Sequence, residues 1–150
     1  MRDVLSPRWI LSLQALPMKR YRSLFAAFLW MAAIFFFSSF PADELPYFGL
    51  WDLLLKKSGH LAGYAVLGAL FLRSWEDLGI RMKRAISLAL LAAVVYAITD
   101  ELHQSFVPGR HASMVDVLID GIGSAIGLLA LHFLRKWRRK MDGPLPTQGS

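Results

Sequence analysis

Four apolar stretches alternate with short polar links along this chain. The first, Leu24 to Phe40, contains no charged residue and ends at Pro41. The second runs from Ser58 to Leu72, the third from Ala85 to Thr99, and the fourth from Val115 to Leu134. Such runs are typical of helices that cross a bilayer, because a helix satisfies its own backbone hydrogen bonds where water is absent. The pattern predicts an all-α, polytopic membrane protein with a bundle of four transmembrane helices.

The polar segments divide the chain into three parts. Residues 1–22 are basic with interspersed apolar residues, which suits either a helix lying in the lipid headgroups or a partly ordered tail. Residues 23–135 form the predicted four-helix membrane domain, in which residues 41–57 are a loop and residues 73–84 a basic loop. Residues 136–150 form the C-terminal tail, which is first basic and then, in "DGPLPTQGS", rich in Pro and Gly, a composition that predicts disorder in those last residues.

The composition supports a membrane protein and narrows its chemistry. Hydrophobic residues make up 55% of the 150 residues, and charged residues only 19%. The net charge of +6 would suggest a nucleic-acid partner in a soluble protein. Here the basic residues flank the apolar runs, where they set orientation and face anionic headgroups, so no nucleic-acid partner is expected. The absence of cysteine excludes disulfides and thiolate chemistry.

The distribution of Lys and Arg predicts how the bundle is oriented. Five precede the first apolar stretch, four lie between the second and third stretches, and five follow the fourth. The remaining three, Lys56, Lys57 and Arg110, lie in the other two links. Because positive residues concentrate on the cytoplasmic side of membrane proteins, both termini are predicted to be cytoplasmic. Lys56, Lys57 and Arg110 are then predicted to lie at the outer face.

Ionisable and polar residues gather at this predicted outer face, starting with the second span. Lys56, His60 and Tyr64 are spaced by four residues and therefore share one stripe of a helix. Gly59 and Gly63 lie beside that stripe, and small residues let a second helix approach closely. We therefore expect another helix to pack against this stripe.

The third span ends in a second polar group and a turn. One helix face carries Tyr96, Asp100, His103 and Gln104, with Glu101 adjacent. Pro108 and Gly109 then form a turn signal that ends the helix. The turn is expected to let Arg110 point back toward the acidic residues.

The fourth span carries two carboxylates on a small-residue stripe. Asp116, Asp120, Ser124 and Gly127 fall on one face, and Gly123 with Gly127 forms a Gly-x-x-x-Gly packing motif. Asp120 lies about one turn inside the span, where an unpaired carboxylate costs on the order of 2.5 kcal/mol or more. Three helices that converge here would form a polar pocket that opens outward.

Several kinds of chemistry fit such a pocket. Glu101, His60 and Asp116 are candidates for acid, base or orienting roles, while Arg110 could hold a phosphate or carboxylate bidentately. Asp, Glu and His side chains also bind divalent metals, but the chain lacks a His-Glu-x-x-His motif and a cysteine cluster, so no metal is assigned. A binding pocket alone needs only Arg110, Lys56 and hydrogen-bonding groups.

Simpler interpretations remain for individual residues. Charged residues at helix ends commonly mark the water boundary, and Lys57 and His111 fit that description. Asp120 and Glu101 could form structural salt bridges with Arg110 or Lys56 instead of a functional site. A path for ions or protons is less favoured, because the charges cluster at one end of the bundle.

The residues from Lys57 to Gly127 resemble the VanZ-like family of small bacterial membrane proteins. The resemblance rests on "KSGHLAGYAVLGAL" followed by "TDELHQSFVPGRHASMVDVLIDGIGSAIG". The positions carried over by this resemblance are Lys57, His60, Tyr64, Asp100, Glu101, Gln104, Arg110, Asp116, Asp120 and Gly123. Asp120 is the one departure, since the family pattern has an Asn there, and it adds a possible negative charge to the pocket.

The resemblance implies a multi-pass protein of the bacterial cytoplasmic membrane with a role in the cell envelope. The named member of the family is tied to low-level resistance to the glycopeptide teicoplanin. We expect the chain to bind, and in one version to modify, membrane lipids or a lipid-linked, phosphate-bearing envelope precursor at the outer leaflet. Arg110, Lys56 and Lys57 would hold the anionic group, and Tyr64, Asp100, Gln104 and Asp120 would complete the binding site.

The alternative is a non-catalytic protein whose polar cluster is a structural clasp or docking point. Nothing in the sequence points to a cofactor or an oligomeric state.

Overall fold

The computed structural model describes residues 8–41 and 50–142, with the side chains of residues 20–41, 54 and 56–142. It is all-α, as predicted, and its four helices are α1 (Arg8–Ser38), α2 (Leu50–Asp77), α3 (Met82–Gln104) and α4 (Met114–Met141). Three segments are long and apolar enough to cross a membrane: Arg20–Ser38, Met82–Gln104 and Met114–Met141. The second predicted span lies within α2, which is not among these three.

The helices extend beyond the apolar stretches, so the links are shorter than predicted. The loop predicted over residues 41–57 is wrong for residues 50–57, which form the first two turns of α2, while residues 42–49 lie outside the described part of the chain. The basic loop at 73–84 shrinks to residues 78–81. A helix continues wherever its backbone hydrogen bonds are satisfied, so its ends can run into polar sequence that hydropathy alone assigns to loops.

The two chain ends also differ from the simplest expectation. α1 begins at Arg8, so much of the basic segment 1–22 continues into the first membrane helix, while residues 1–7 lie outside the described residues. α4 continues to Met141, so the first residues of the predicted tail are helical. The rest of that tail, residues 143–150, lies outside the described residues.

Helices that follow one another in the sequence run in opposite directions, and α2 contacts each of the other three. The hydroxyl of Tyr96 in α3 donates to the carbonyl of Met31 in α1 at 2.6 Å, which places these two parallel helices side by side. α2 and α4 are also parallel, with Lys57 beside Asp116 near their start. We call the end where α1 and α3 finish and α2 and α4 begin the pocket end.

The backbones of α2 and α4 touch, and glycines make this contact possible. A Cβ on Gly123 would overlap the carbonyl of Leu61, and a Cβ on Gly127 would overlap that of Ala65. From the other side, Gly68 packs against the backbone of Ser124. The Gly-x-x-x-Gly face predicted on the fourth span therefore mediates close helix packing.

The predicted close approach at Gly59 and Gly63 is wrong. A Cβ on Gly59 would meet nothing within 4 Å, and one on Gly63 would meet only the Ile34 side chain, at 3.9 Å. These two glycines face α1, whose larger side chains keep its backbone at a distance. Gly68, five residues beyond Gly63 on α2, makes the close backbone contact that the sequence assigned to Gly59 and Gly63.

The buried face of α3 changes character along its length. Ala85, Ala89, Ala93 and Ala97 are all fully buried and repeat every four residues. Small side chains at this spacing let α3 lie close to its neighbours. The same face then continues, without a break in the helix, into Asp100, Glu101 and Gln104, which are also buried. The interior is therefore apolar along most of the bundle and polar at the pocket end.

The opposite end of the bundle is held by contacts to the end of α2. Glu76 forms an ion pair with Arg135 of α4. Asp77 accepts a hydrogen bond of 2.5 Å from the hydroxyl of Ser23 in α1. Arg20 donates to the carbonyl of Leu78 at 2.8 Å. α1, α2 and α4 are therefore joined at this end, and the pocket end has its own set of polar contacts.

The outward faces of the helices carry the large apolar side chains. Phe25, Phe37, Leu91 and Phe133 are each at least 60% exposed. A water-soluble protein buries such side chains and exposes its charges, and an apolar exterior of this extent marks a surface that contacts lipid. The burial pattern and the three apolar helices together describe a membrane protein.

Candidate functional site

Asp100 is the centre of a buried hydrogen-bond network at the pocket end. Its carboxylate is 2% exposed, and Oδ2 accepts from Ser38 Oγ at 3.0 Å, Gln104 Nε2 at 3.2 Å and Tyr64 OH at 3.4 Å. Ser38 lies on α1 and Tyr64 on α2, so one carboxylate joins three helices. Its second oxygen, Oδ1, has no hydrogen-bond partner among the described residues.

The turn after α3 brings Arg110 back onto this network, as the Pro-Gly signal predicted. Gly109 has a φ of 73°, a conformation that glycine adopts without strain. The reversed chain places Arg110 Nη1 3.0 Å from Gln104 Oε1 and Arg110 Nε 3.0 Å from the carbonyl oxygen of Phe40. The guanidinium is thus fixed between the ends of α1 and α3.

Glu101 links the end of α3 to the start of α4. Its Oε2 accepts a hydrogen bond of 2.8 Å from the backbone N–H of Ser113, the residue that precedes α4. N–H groups at a helix start lack partners within the helix, and a carboxylate there is also favoured by the helix dipole. Glu101 therefore has a structural contact on one oxygen while its side chain reaches the pocket.

Two pairs of residues connect α2 with α4. Lys57 forms an ion pair with Asp116. One turn further in, His60 Nδ1 lies 3.4 Å from both carboxylate oxygens of Asp120, and the geometry suits a hydrogen bond to Oδ2. Asp120 is fully buried, whereas His60 is partly exposed. The Asp120 carboxylate, whose burial in the membrane would be costly without a partner, therefore has one in His60. Asp120 in turn orients the His60 imidazole.

A polar cavity of about 180 Å³ lies where these contacts meet. Its walls carry Lys56, Lys57, His60, Glu101, Gln104, Arg110, Asp116 and Asp120, together with His111 and Ile119. Eight of the ten predicted site residues thus surround one cavity. Three cationic side chains and three carboxylates face it, and residues from α2, from the end of α3, from the turn and from α4 all contribute.

Asp100 and Tyr64, the other two predicted residues, do not line this cavity. Asp100 lies behind it in the buried network, and Tyr64 is fully buried with its hydroxyl directed at Asp100. His103, which the helix pattern placed beside Asp100, instead stacks on Phe35 with ring centroids 4.0 Å apart and contacts Ser39. The polar cluster of the sequence therefore separates into a buried network and a cavity wall.

Sequence reasoning missed the contributions of α1. Ser38 donates to Asp100, and the carbonyl oxygen of Phe40 accepts from Arg110. Two serines at the end of a charge-free span were a detectable signal, because a buried hydroxyl needs a hydrogen-bond partner. The backbone groups of Phe40 and Ser113 carry no signature in the sequence.

A second, mainly apolar cavity of about 390 Å³ lies between α1 and α2. Its apolar walls include Trp30, Ile34 and Phe37 of α1. Lys56, His60 and Arg110 line this cavity as well as the polar one. The two cavities therefore meet at these three side chains at the pocket end.

The cavities suit binding of a partly polar molecule better than binding of a metal. In the described ranges, no three His, Asp or Glu side chains are grouped so as to hold a metal ion. The cationic residues and the hydrogen-bonding groups match an anionic group, for which Arg is well suited because its planar fork binds two oxygens at once. His60, oriented by Asp120, is placed for proton transfer to or from a bound molecule.

These features define a small helical membrane protein with a polar cavity at one end of its bundle. The chain belongs to the VanZ/LLP1 family, whose model matches residues 23–135. The resemblance drawn from the sequence is thus confirmed at the level of the family. Comparison with the curated proteins finds no match, and comparison with the solved structures finds none either.

We expect Asp100→Ala to destabilise the bundle more than Glu101→Gln does. Removing the Asp100 carboxylate leaves the fully buried Tyr64 hydroxyl without its acceptor, at a cost of about 1–3 kcal/mol. Glu101→Gln keeps a carbonyl oxygen that accepts from the Ser113 N–H. The free energy of unfolding in detergent micelles measures both changes. Equal losses in the two variants would show that the cavity wall and the network are one structural unit.

Proposed function

We propose that the polar cavity binds the anionic, phosphate-bearing headgroup of a membrane lipid or lipid-linked envelope precursor. The observation that carries this proposal is the convergence of Lys56, Lys57 and Arg110 on one cavity at the end of an apolar bundle. Cationic side chains at the level of the headgroups attract anionic lipids. Glu101, Asp116 and Asp120 line the same cavity, where Asp116 is paired with Lys57 and Asp120 with His60.

Arg110 is the residue best placed to hold the anionic group. A guanidinium has five N–H donors, and its contacts to Gln104 and Phe40 use two of them. Those contacts fix its plane, so less conformational freedom is lost when a ligand binds. Lys57 is paired with Asp116, and we assign it a supporting role at the cavity wall.

In the version of the proposal that includes chemistry, His60 is the acid or base. Its Nδ1 contacts Asp120, which places Nε2 on the opposite side of the ring, and the side chain lines the polar cavity. Asp116 is engaged with Lys57 and Glu101 with the Ser113 N–H, so both act in orientation and charge balance. Asp120, at the position where the family pattern has Asn, is the partner that orients the His60 imidazole.

We further propose that α2 is the fourth transmembrane helix and that both termini are cytoplasmic. α2 lies alongside all three apolar helices and contacts α4 from Lys57 to Glu76. At about 1.5 Å per residue its 28 residues are long enough to span a bilayer. Tyr64 and Ser74 are buried in the bundle and His60 lines the polar cavity, and these polar residues lower the apolarity of α2. The Lys and Arg distribution then directs the pocket end to the outer leaflet of the bacterial cytoplasmic membrane.

Cysteine labelling tests this orientation, because the chain contains no cysteine of its own. Ser105, after the end of α3, and Lys83, in its first turn, are both exposed. In intact cells we expect a membrane-impermeant maleimide to label Ser105→Cys and to leave Lys83→Cys unlabelled until the membrane is permeabilised. The reverse pattern would place the pocket end in the cytoplasm and exclude an outer-leaflet ligand.

Lipid binding by the full-length protein tests the cavity itself. We expect native mass spectrometry to show preferential retention of phosphatidylglycerol over phosphatidylcholine, and Arg110→Ala to weaken that retention about tenfold or more, as loss of hydrogen bonds to a charged group implies. Arg73→Ala, an exposed arginine at the opposite end of α2, is the matched control. Equal effects of the two substitutions would mean that only general charge attraction operates.

A contribution to glycopeptide resistance is the most specific form of the proposal, and it is supported by family membership alone. We expect the wild-type chain to raise the teicoplanin tolerance of a sensitive Gram-positive host. Glu101→Gln and Arg110→Ala should abolish that protection at equal membrane abundance, because both alter the cavity wall. A well-expressed wild type that gives no protection would separate this chain from resistance and leave the binding proposal to the lipid measurements.

The alternative function is structural, with the polar cluster as a clasp or as a docking point for another membrane protein. The Asp100 network favours a clasp, since it joins α1, α2 and α3 and does not face the polar cavity. Lys56 and Arg110 differ from this network because they line both cavities, so a clasp does not account for them. We therefore assign the structural role to the buried network and the binding role to the cavity wall.

A further inference from the structure

We infer that the apolar cavity between α1 and α2 holds the hydrocarbon chain of the same ligand, which enters sideways from the bilayer. This inference rests on the proposed headgroup site and adds the class of ligand and its path. The ligand is then an amphiphile with a phosphate head and a chain that lies along α1. A water-soluble phosphate compound would use the polar cavity alone.

The first argument is the continuity of the two cavities. Lys56, His60 and Arg110 line both, so these three side chains lie at a junction between a polar compartment and an apolar one. A molecule that satisfies both compartments must have its charge at the junction and apolar atoms on one side only. That is the chemistry of a lipid whose headgroup is anionic.

The second argument is the direction and chemistry of the apolar cavity. Along α1 its walls pass from Phe37 near the pocket end to Trp30, a rise of about 10 Å toward the middle of the bundle. The Trp30 indole N–H donates to the carbonyl of Gly63 at 2.8 Å, so its polar atom is satisfied and its ring remains as an apolar wall. A chain attached to a headgroup at Arg110 would extend in this direction, as it does in a bilayer.

The third argument is the space that Gly59 and Gly63 leave. Both line the apolar cavity, and neither brings a helix backbone close, unlike Gly68 and Gly123. A volume of about 390 Å³ falls within the range of about 300–1,000 Å³ that is usual for small-molecule sites. The absence of side chains at these two positions is explained by an occupant of the cavity, since packing between α1 and α2 does not require it.

The test uses the full chain in phosphatidylcholine nanodiscs and a long-chain alkyl phosphate with a diazirine near the end of its chain. The uncharged probe is the corresponding alcohol. We expect the alkyl phosphate to label the segment from Trp30 to Phe37 and the facing part of α2, and the alcohol to label both at least about tenfold less. Labelling spread evenly over the outward helix faces would overturn the inference.

Substitutions that fill the cavity give the second measurement. Gly63→Leu should reduce labelling of the Trp30 to Phe37 segment at least about tenfold, because its side chain takes the place of part of the ligand chain. Gly59→Leu should act in the same way, and its added Cβ meets nothing within 4 Å, so it serves if Gly63→Leu fails to fold. Ala62→Leu is the control, since Ala62 is exposed on the same helix and lines neither cavity.

The possible outcomes distinguish a failure of this inference from a failure of the proposed headgroup site. If the alkyl phosphate binds better than the alcohol and depends on Arg110, but labels other surfaces, the headgroup site stands and the chain path is wrong. If the alkyl phosphate binds no better than the alcohol, the headgroup site fails and the inference fails with it. Crosslinks that join two copies of the chain through the Trp30 to Phe37 segment would identify a second protomer as the occupant and would also overturn the inference.

Discussion

The contact between the backbones of α2 and α4 is the constraint on which the site depends. Gly68, Gly123 and Gly127 remove the side chains that would keep the two helices apart, and the Ser124 hydroxyl donates to the carbonyl of Tyr64 at 3.1 Å across the contact. Because the helices are parallel and close, their residues meet in one register. His60 reaches Asp120 in that register, and the polar cavity lies between residues 56–60 of α2 and residues 116–120 of α4.

The burial pattern follows from the lipid surroundings. Large apolar side chains gain little from burial when the solvent is itself apolar, so helices associate through small residues and polar contacts. The alanine stripe of α3 and the glycines of α4 are the small residues, and the Asp100 network provides the polar contacts. A buried carboxylate is costly in lipid unless it has partners, and here its donors come from three helices. The same donors that offset this cost also hold the helices together.

The polar residues divide into the buried Asp100 network and the wall of the polar cavity. This division allows one part of the cluster to stabilise the fold and the other to bind a ligand, as proposed above. Asp100 is surrounded by donors and is separated from the polar cavity, as expected for a group that stabilises the fold. Glu101, its neighbour in sequence, points to the cavity because adjacent residues on a helix differ by about 100° in direction.

The sequence by itself determined the helical class, the membrane setting, the turn at Pro108 and Gly109, the packing face at Gly123 and Gly127, and nearly all residues of the cavity wall. These follow from local rules, since hydropathy and helical periodicity need only one segment at a time. Only the tertiary structure decided that His60 pairs with Asp120, that Ser38 supports Asp100, that Gly68 and not Gly59 contacts α4, and that an apolar cavity opens beside the polar one. Those features depend on how far each helix is rotated and shifted against its neighbours, and one helix's sequence does not specify that register.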